Sequence, residues 1–545
     1  MKKYLPLVIF SLFVFLFNLS FACFGISNTY FIKYFCVALL IEYAFVTVLC
    51  AYNIIFKILG LIVVFAVTSN VSSLYVTGLY VIPLTLDNLG DAQSIATSTI
   101  AVILCIFVVN FLYWLYLARF KWNISRKKLL APLAVLFIVF TYFFCTSIKY
   151  TISGFFFKTC SAYLAELYED RFEYINPTAE AFKKFEKDYV VKNSGVSDYL
   201  IKKPKNVIVI FTEGLSAECI DYPSVMPNLK ALKDKSLYVD NYFNHTAATF
   251  RGIRGQLLSG YEFRGGYNNS NDGLGQTSDI GSMLGSKIPS LAQILNSKGY
   301  DTNFVIAQEN DDNLAKMLRE MHFSKVLGTA VGTYSINDTK FEVKLEEYLS
   351  KLESSDAPFL MCAYNMGTHE NRDSEVGEYK STLSGGGNEY YNKFYNYDMA
   401  IGKLLKFIDN SNLHGNTLVV ITSDHCAYPS AKFNTSFGTQ RNVFVGKVPL
   451  YLYGPGIIKQ GTFDAQGMNS TALVPTLLDI LGINDVKNYF VGCSIFEKEC
   501  SSIFSKMGWY NKIYVSTEGS KEHQILPTDD LKEEFKAYFR INSAK

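Results

Sequence analysis

The heptapeptide "NVIVIFT" (Asn206–Thr212), with Glu213 directly after it, decides how the second half of the chain is read. Five consecutive apolar residues without polar alternation are the pattern of a strand buried on both faces, as a parallel sheet requires. Comparable runs follow at 302–307 ("TNFVIA"), 357–364 ("APFLMCAY"), 417–423 ("TLVVITS") and 448–454 ("VPLYLYG"), with "LYVDNYF" (237–243) as a further strand. Helical patterns lie between them at 227–236, 289–300, 344–354, 391–410 and 469–482. Strands alternating with helices predict an α/β domain with a mainly parallel, doubly wound sheet between helices. Residues 264–286 and 384–388, rich in Gly, Ser and Asn, read as loops over one rim.

The chain upstream is of another kind. Hydrophobic residues make up 49% of the 545 and mean hydropathy is +0.14, with the excess crowded into the first 150 positions. Segments 4–24, 34–56, 58–82, 97–117 and 129–148 each approach the roughly 20 apolar residues that cross a bilayer. The expected fold is therefore an N-terminal five-helix transmembrane bundle (1–149), a helical linker (150–203), the α/β domain (204–500) and a C-terminal segment (501–545). A cleavable signal peptide is the competing reading of the first span, disfavoured by the four apolar spans that follow. Glu42 inside the second span is expected to face the bundle interior, because a carboxylate facing lipid is costly. The linker reads either as helices along the membrane surface or as a solvated helix pair.

Charge sets an orientation. Lys2 and Lys3, then Lys57, then Arg119, Lys121, Arg126, Lys127 and Lys128 mark alternate loops, which puts the N-terminus in the cytoplasm and everything after Lys149 outside. The expected location is the bacterial inner membrane, multi-pass, with an extracytoplasmic C-terminal domain. A net charge of +2 gives no argument for nucleic acid as partner. Six cysteines lie outside the spans (Cys160, Cys219, Cys362, Cys426, Cys493, Cys500); in an oxidising compartment Cys493 with Cys500 is the first pair to try. None has CxxC spacing, which argues against a thiolate zinc site.

In an open parallel sheet, ligands bind beyond the carboxyl ends of the strands. Glu213 follows the first apolar run, Asp424 and His425 follow "TLVVITS", His369 follows "APFLMCAYNMGT", and Thr249 follows "LYVDNYFNHTAA". Two carboxylates and an imidazole form a donor set for one divalent cation, Mn²⁺ or Zn²⁺, or Mg²⁺. A threonine oxygen reaching that cation would be activated as a nucleophile, and Arg251 and Arg254 would hold a phosphate. Each residue also has a plainer reading. Glu213 would suit a first helical turn, Thr249 an N-cap, His369 a loop contact, and the arginines surface charge or ion pairs. Their convergence on strand ends of one sheet favours the site.

"IFTEGLS", "PNLKALKDKSLYVDNYF", the threonine motif "HTAATFRGIRGQ", "GPGI" and "NSTALVPTLLDILGI" together resemble the alkaline phosphatase/sulfatase superfamily. With the spans, the layout is similar to lipoteichoic acid synthases, glucan phosphoglycerol transferases and phosphoethanolamine transferases. The resemblance implies metal ligands at Glu213, Thr249, Asp424 and His425, a nucleophile at Thr249, and substrate binding by His369, with Arg251 or Arg254 on the phosphoryl group. It further implies that a headgroup from a membrane phospholipid, phosphoglycerol first, passes through a phosphothreonine to an envelope glycan or glycolipid. Phosphoethanolamine onto lipopolysaccharide or a surface glycan is the alternative. A non-catalytic lipid sensor and a hydrolase are the readings from other classes; the first would have lost the threonine or the ligands. "TAATFRGIR" lacks the C/S-x-P-x-R element of true sulfatases, which disfavours sulfate-ester hydrolysis. Gln308, Glu309, Asp311 and Asp312 stand where phosphoglycerol-type synthases carry tryptophan and arginine, and an acidic pocket there would suit a cationic headgroup.

Overall fold

The computed structural model describes residues 4–25, 29–77, 80–81, 97–122, 152–172, 183–222, 224–246, 249–261, 288–333, 335–369, 389–429, 431–441, 445–500, 505–509, 512–516, 523–525 and 538. The chain forms two compact units, Met1–Tyr168 with Pro429–Asn442, and Glu169–Tyr428 with Val443–Lys545.

The first unit contains helices α1 (Leu5–Gly25), α2 (Thr29–Cys50), α3 (Ile54–Thr77), α4 (Thr97–Arg119) and most of α5 (Ile152–Phe172). The first four are long and apolar enough to cross a membrane. The expected span 129–148 lies outside the described residues. A bilayer offers no water to polar side chains, so they must find one another inside the bundle. Asn18 and Asn110 exchange amide hydrogen bonds (3.2 and 2.9 Å), and the Tyr43 hydroxyl donates to Asn110 Oδ1 at 2.6 Å. Glu42 is buried, as its charge requires, and its carboxylate accepts the Ser153 amide at 3.0 and 3.2 Å. Asn70 Nδ2 donates to the Ile152 carbonyl at 2.6 Å. The first turn of α5 is thus built into the bundle; farther along, Leu164 is exposed.

The second unit carries an eight-stranded sheet. Its elements in chain order are β1 (Asn206–Thr212), α6 (Pro227–Leu232), β2 (Leu237–Asp240), α7 (Thr249–Leu258), α8 (Leu291–Ser297), β3 (Asp301–Ile306), α9 (Asn313–Glu320), β4 (Lys325–Gly328), α10 (Asp338–Leu352), β5 (Phe359–Tyr364), α11 (Glu389–Asp409) and β6 (Thr417–Ser423). Helix α12 (Ala431–Phe437) falls in the segment that belongs to the first unit, and β7 (Leu450–Tyr453), β8 (Gly461–Asp464) and α13 (Leu473–Ile480) complete the sheet and its cover. The strand order is β4-β3-β5-β1-β6-β7-β2-β8. Every described strand pairing within this sheet is parallel except the two made by β7, which runs against β6 and β2. Strands β1 and β6 are buried along their whole length, which is why their sequences show no polar alternation. Edge strand β8 is short and largely exposed.

Beyond the sheet, β9 (Ser505–Trp509), β10 (Lys512–Ser516) and β11 (His523–Ile525) form an antiparallel three-stranded sheet in the C-terminal segment. Cys493 and Cys500 are joined by a disulfide. The expected rim loops at 264–286 and 384–388 lie outside the described residues.

Candidate active site and metal centre

Strands β5, β1 and β6 are neighbours at the centre of the sheet, so their carboxyl ends open side by side. The register pairs Phe211 with both Tyr364 and Thr422, and Thr212 with Ser423. Glu213 and Asp424 therefore leave the sheet at the same level. Gly214 continues at φ +54°, a left-handed conformation that glycine adopts without steric cost, and this turns its amide onto Asp424 Oδ1 at 2.9 Å.

The two Asp424 oxygens have different work. Oδ1 accepts the amides of Gly214 (2.9 Å) and His425 (2.7 Å), whereas Oδ2 is buried and takes no backbone amide among the described residues. His425 Nδ1 lies 2.8 Å from the Cys426 carbonyl, which can only accept, so Nδ1 carries the proton. Nε2 then faces Glu213 Oε1 at 3.5 Å and Asp424 Oδ2 at 3.4 Å. A positive charge must lie among these buried groups, either a proton on Nε2 or, with Nε2 deprotonated as a ligand, a bound cation. Ligand atoms of Glu213, Asp424 and His425 all lie within 4.8 Å of one another, and the residues fit a divalent ion of the carboxylate–imidazole class.

The electrostatics agree. Burial, and next the Glu213 charge, push the Asp424 carboxyl well above its ordinary range. Burial would raise Glu213 too, but before any ion binds, attraction to the His369 and His425 imidazoles, in their protonated form, and the hydrogen bonds from Tyr364 and Thr249 hold it below its ordinary range. A doubly charged ion would offset the cost of ionising buried Asp424.

Thr249 is the first described residue of α7, and its hydroxyl donates to Glu213 Oε2 at 3.0 Å. The helix sits hard against the end of β6: Gln256 Nε2 donates to the Ser423 and Asp424 carbonyls at 3.0 and 3.2 Å. Gly252 makes this approach feasible, since a Cβ there would overlap the Asp424 carbonyl group. Arg251 and Arg254 are both buried on this helix rather than displayed as surface charges. Arg254 acts on His245, whose imidazole is lowered to about 3 by burial, with the Arg254 charge adding to it. His245 Nδ1 bonds Ser470 Oγ at 2.7 Å, so this histidine sits under the start of α7 as a neutral brace.

His369 ends the turn after β5. Thr368 Oγ1 donates to the Glu213 carbonyl at 2.6 Å and buried Lys393 donates to the His369 carbonyl at 3.0 Å, tying the turn to β1 and α11. Of the expected site residues, the structure brings together Glu213, Asp424, His425 and Thr249, with His369 near enough to act on Glu213. In the run expected to form an acidic pocket, Gln308 is buried and pairs through its backbone with Ser335. Asp312 caps α9 through the Leu314 amide at 2.8 Å.

The sulfatase family profile matches residues 205–483, just over half of the chain. The chain belongs to the sulfatase family. A phosphoglycerol transferase I of Xanthomonas axonopodis pv. citri (strain 306) is 25% identical over 265 residues, covering 44% of this chain and 36% of that protein. A phosphoglycerol transferase I of Xanthomonas euvesicatoria pv. vesicatoria (strain 85-10) matches to the same extent. The match thus spans little more than a third of the length of these curated relatives. Among solved structures, the lipoteichoic acid synthase LtaP from Listeria monocytogenes shares the fold with a TM-score of 0.50 at 15% identity, covering 64% of this chain and 94% of that one.

Sequence reasoning passed over one member of this sulfatase-family site. Tyr364, the last residue of β5, is buried; its hydroxyl donates to Glu213 Oε2 and lies 3.4 Å from Thr249 Oγ1. Its only signal in the sequence is its place at the end of an apolar run, where a phenol reads as one more core residue.

Proposed function

We propose that the protein is a membrane-anchored phospho-headgroup transferase with Thr249 as nucleophile, working at the outer face of the bacterial inner membrane. The observation that carries the reading is the Thr249 hydroxyl, 3.0 Å from Glu213 Oε2 beside the buried, converging ligand atoms of Glu213, Asp424 and His425. Glu213, Asp424 and His425, with the Thr249 oxygen, would hold one Mn²⁺ or Zn²⁺, or Mg²⁺. Bound there, such an ion supplies positive charge that eases loss of a hydroxyl proton and offsets charge on phosphoryl oxygens.

The chain's own groups account for the rest. Thr249 Oγ1 forms a bond to phosphorus as the bond to the lipid oxygen breaks, and its proton is directed at Glu213 Oε2. His369 gives a proton to the departing lipid alcohol and takes one from the acceptor hydroxyl in the second exchange. The acceptor oxygen then bonds to phosphorus, the Oγ1–phosphorus bond breaks, and the proton returns from Glu213 to Thr249. Arg251 and Arg254 are assigned to the phosphoryl group. Cys493–Cys500 supports an oxidising, extracytoplasmic location.

Phosphoglycerol, drawn from a membrane phospholipid and passed to an envelope glycan or glycolipid, is the favoured cargo. The two curated relatives named above support it. The test is membranes given headgroup-labelled phosphatidylglycerol or phosphatidylethanolamine. The native chain should move the phosphatidylglycerol label to a glycan or glycolipid, with a phosphothreonine at Thr249 by mass spectrometry. Thr249→Ala should lower transfer by roughly a thousandfold or more. Undiminished transfer by that variant would refute the nucleophile. Movement of the ethanolamine label alone would replace the cargo.

A further inference from the structure

Glu213 divides its two oxygens. Oε1 faces His425 Nε2 at 3.5 Å, in the cluster of metal-ligating groups, whereas Oε2 faces the hydroxyls of Thr249 and Tyr364. The two hydroxyls are themselves 3.4 Å apart. Tyr364 reaches this point because β5 pairs directly with β1, setting the phenol at the end of one strand beside the carboxylate that follows the other. A purely apolar core position would be served by phenylalanine; here a hydroxyl is carried into a buried site and given an acceptor.

The threonine and the tyrosine differ in one chemical respect. Thr249 can donate to Glu213 only while its hydroxyl is free; once Oγ1 carries a phosphoryl group it has no hydrogen left to give. Tyr364 keeps its hydrogen throughout, and Oε2 retains a lone pair to accept it after taking the Thr249 proton. We infer that Tyr364 is the positioning residue of this site, holding Glu213 Oε2 through both half-reactions so that Oε1 stays turned toward the metal-binding cluster and the Thr249 oxygen stays in line. The inference rests on the reading of Glu213 as a ligand and Thr249 as the nucleophile. It adds a residue which that reading does not need.

Outer contacts of this kind are worth about 10–100-fold in metal affinity or activity. Tyr364→Phe removes one oxygen atom and keeps the ring, so the buried packing at the end of β5 is retained. The full-length protein in nanodiscs, stripped of metal, is titrated calorimetrically with Mn²⁺ and with Zn²⁺, and then assayed with labelled phosphatidylglycerol. Tyr364→Phe should weaken binding of the tighter ion about tenfold and lower kcat by about 10–100-fold, with KM for the lipid within about threefold of native. Native affinity together with native kcat would overturn the inference. A change in KM alone would overturn it too, because it would make the phenol a substrate contact. The titration contains no substrate, so it reports on Tyr364 even if Thr249→Ala were to remain active and the transferase reading were to fail.

Discussion

Gly252 offers a severe test of how closely α7, which carries the proposed nucleophile, must approach the end of β6, which carries Asp424. A Cβ at this position would fall on the Asp424 carbonyl, 2.9 Å from its carbon and about 1 Å inside ordinary van der Waals contact with its oxygen. Neither partner can yield cheaply. The Asp424 carbonyl belongs to backbone fixed by β6, and it also accepts from Gln256, while Gly252 lies inside α7. Gly252→Ala therefore has to push α7 away from β6 by about an ångström, carrying Thr249 from Glu213 and Gln256 from two carbonyls. Overpacking of this kind costs about 1–3 kcal/mol, and a displacement of about 1 Å at a reacting atom costs on the order of a hundredfold in rate. The assay pairs denaturant unfolding of the catalytic unit in the full chain with single-turnover transfer from labelled phospholipid. The expected result is a catalytic loss much larger than the modest stability loss. A variant with transfer within threefold of native and unchanged unfolding would refute the argument, since α7 would then have room it is not shown to have.

Two further predictions follow from buried groups outside the reacting atoms. His245 is held neutral, lowered to about 3 by burial, whereas in an unfolded chain it takes up a proton near pH 6.5. The unfolded state then binds more protons, so its contribution leaves stability intact above about pH 6.5 and lowers it by about 1.4 kcal/mol per unit on acidification toward pH 3. Between pH 7 and 5, His245→Asn should lose about 2 kcal/mol less than the native chain in urea unfolding; parallel curves would dismiss the brace as the acid-labile group. The Cys493–Cys500 bridge closes a loop of sequence separation 7, for which chain entropy gives a stabilisation of about 2–3 kcal/mol. Cys493→Ser with Cys500→Ser, or mild reduction of the native chain, should lower the unfolding midpoint accordingly, and an unaltered midpoint would contradict that value.

Much of the architecture was legible because it is local. A strand buried on both faces must be apolar throughout, so "NVIVIFT" and "TLVVITS" announced β1 and β6 without further context. The four described spans and the burial of Glu42 followed from the same cost of placing polar groups in an apolar medium. That Glu213, Asp424 and His425 meet was legible because residues following the carboxyl ends of parallel strands face one rim; Thr249 joins them from the start of α7. Weak local patterns escaped: β4 and β8 have four residues each, β8 is mostly exposed, and the 505–525 sheet carries no long apolar run.

Pairings between distant parts of the chain belong to the tertiary structure alone. That β5 and β6 flank β1, and that β7 runs against its neighbours, is fixed by how helices and strands pack, which no window of sequence contains. Tyr364 shows the consequence. It stands 151 residues from Glu213, and in the sequence its phenol is indistinguishable from any aromatic closing a buried strand. Strand order makes it a hydrogen-bond donor to the carboxylate proposed as a metal ligand. The sequence by itself determined which side chains could do chemistry, because residue type and strand-end position are local properties. The fold decided which oxygen of each carboxylate is held and which is left exposed to a cation, because hydrogen bonds are allotted only when distant backbones meet.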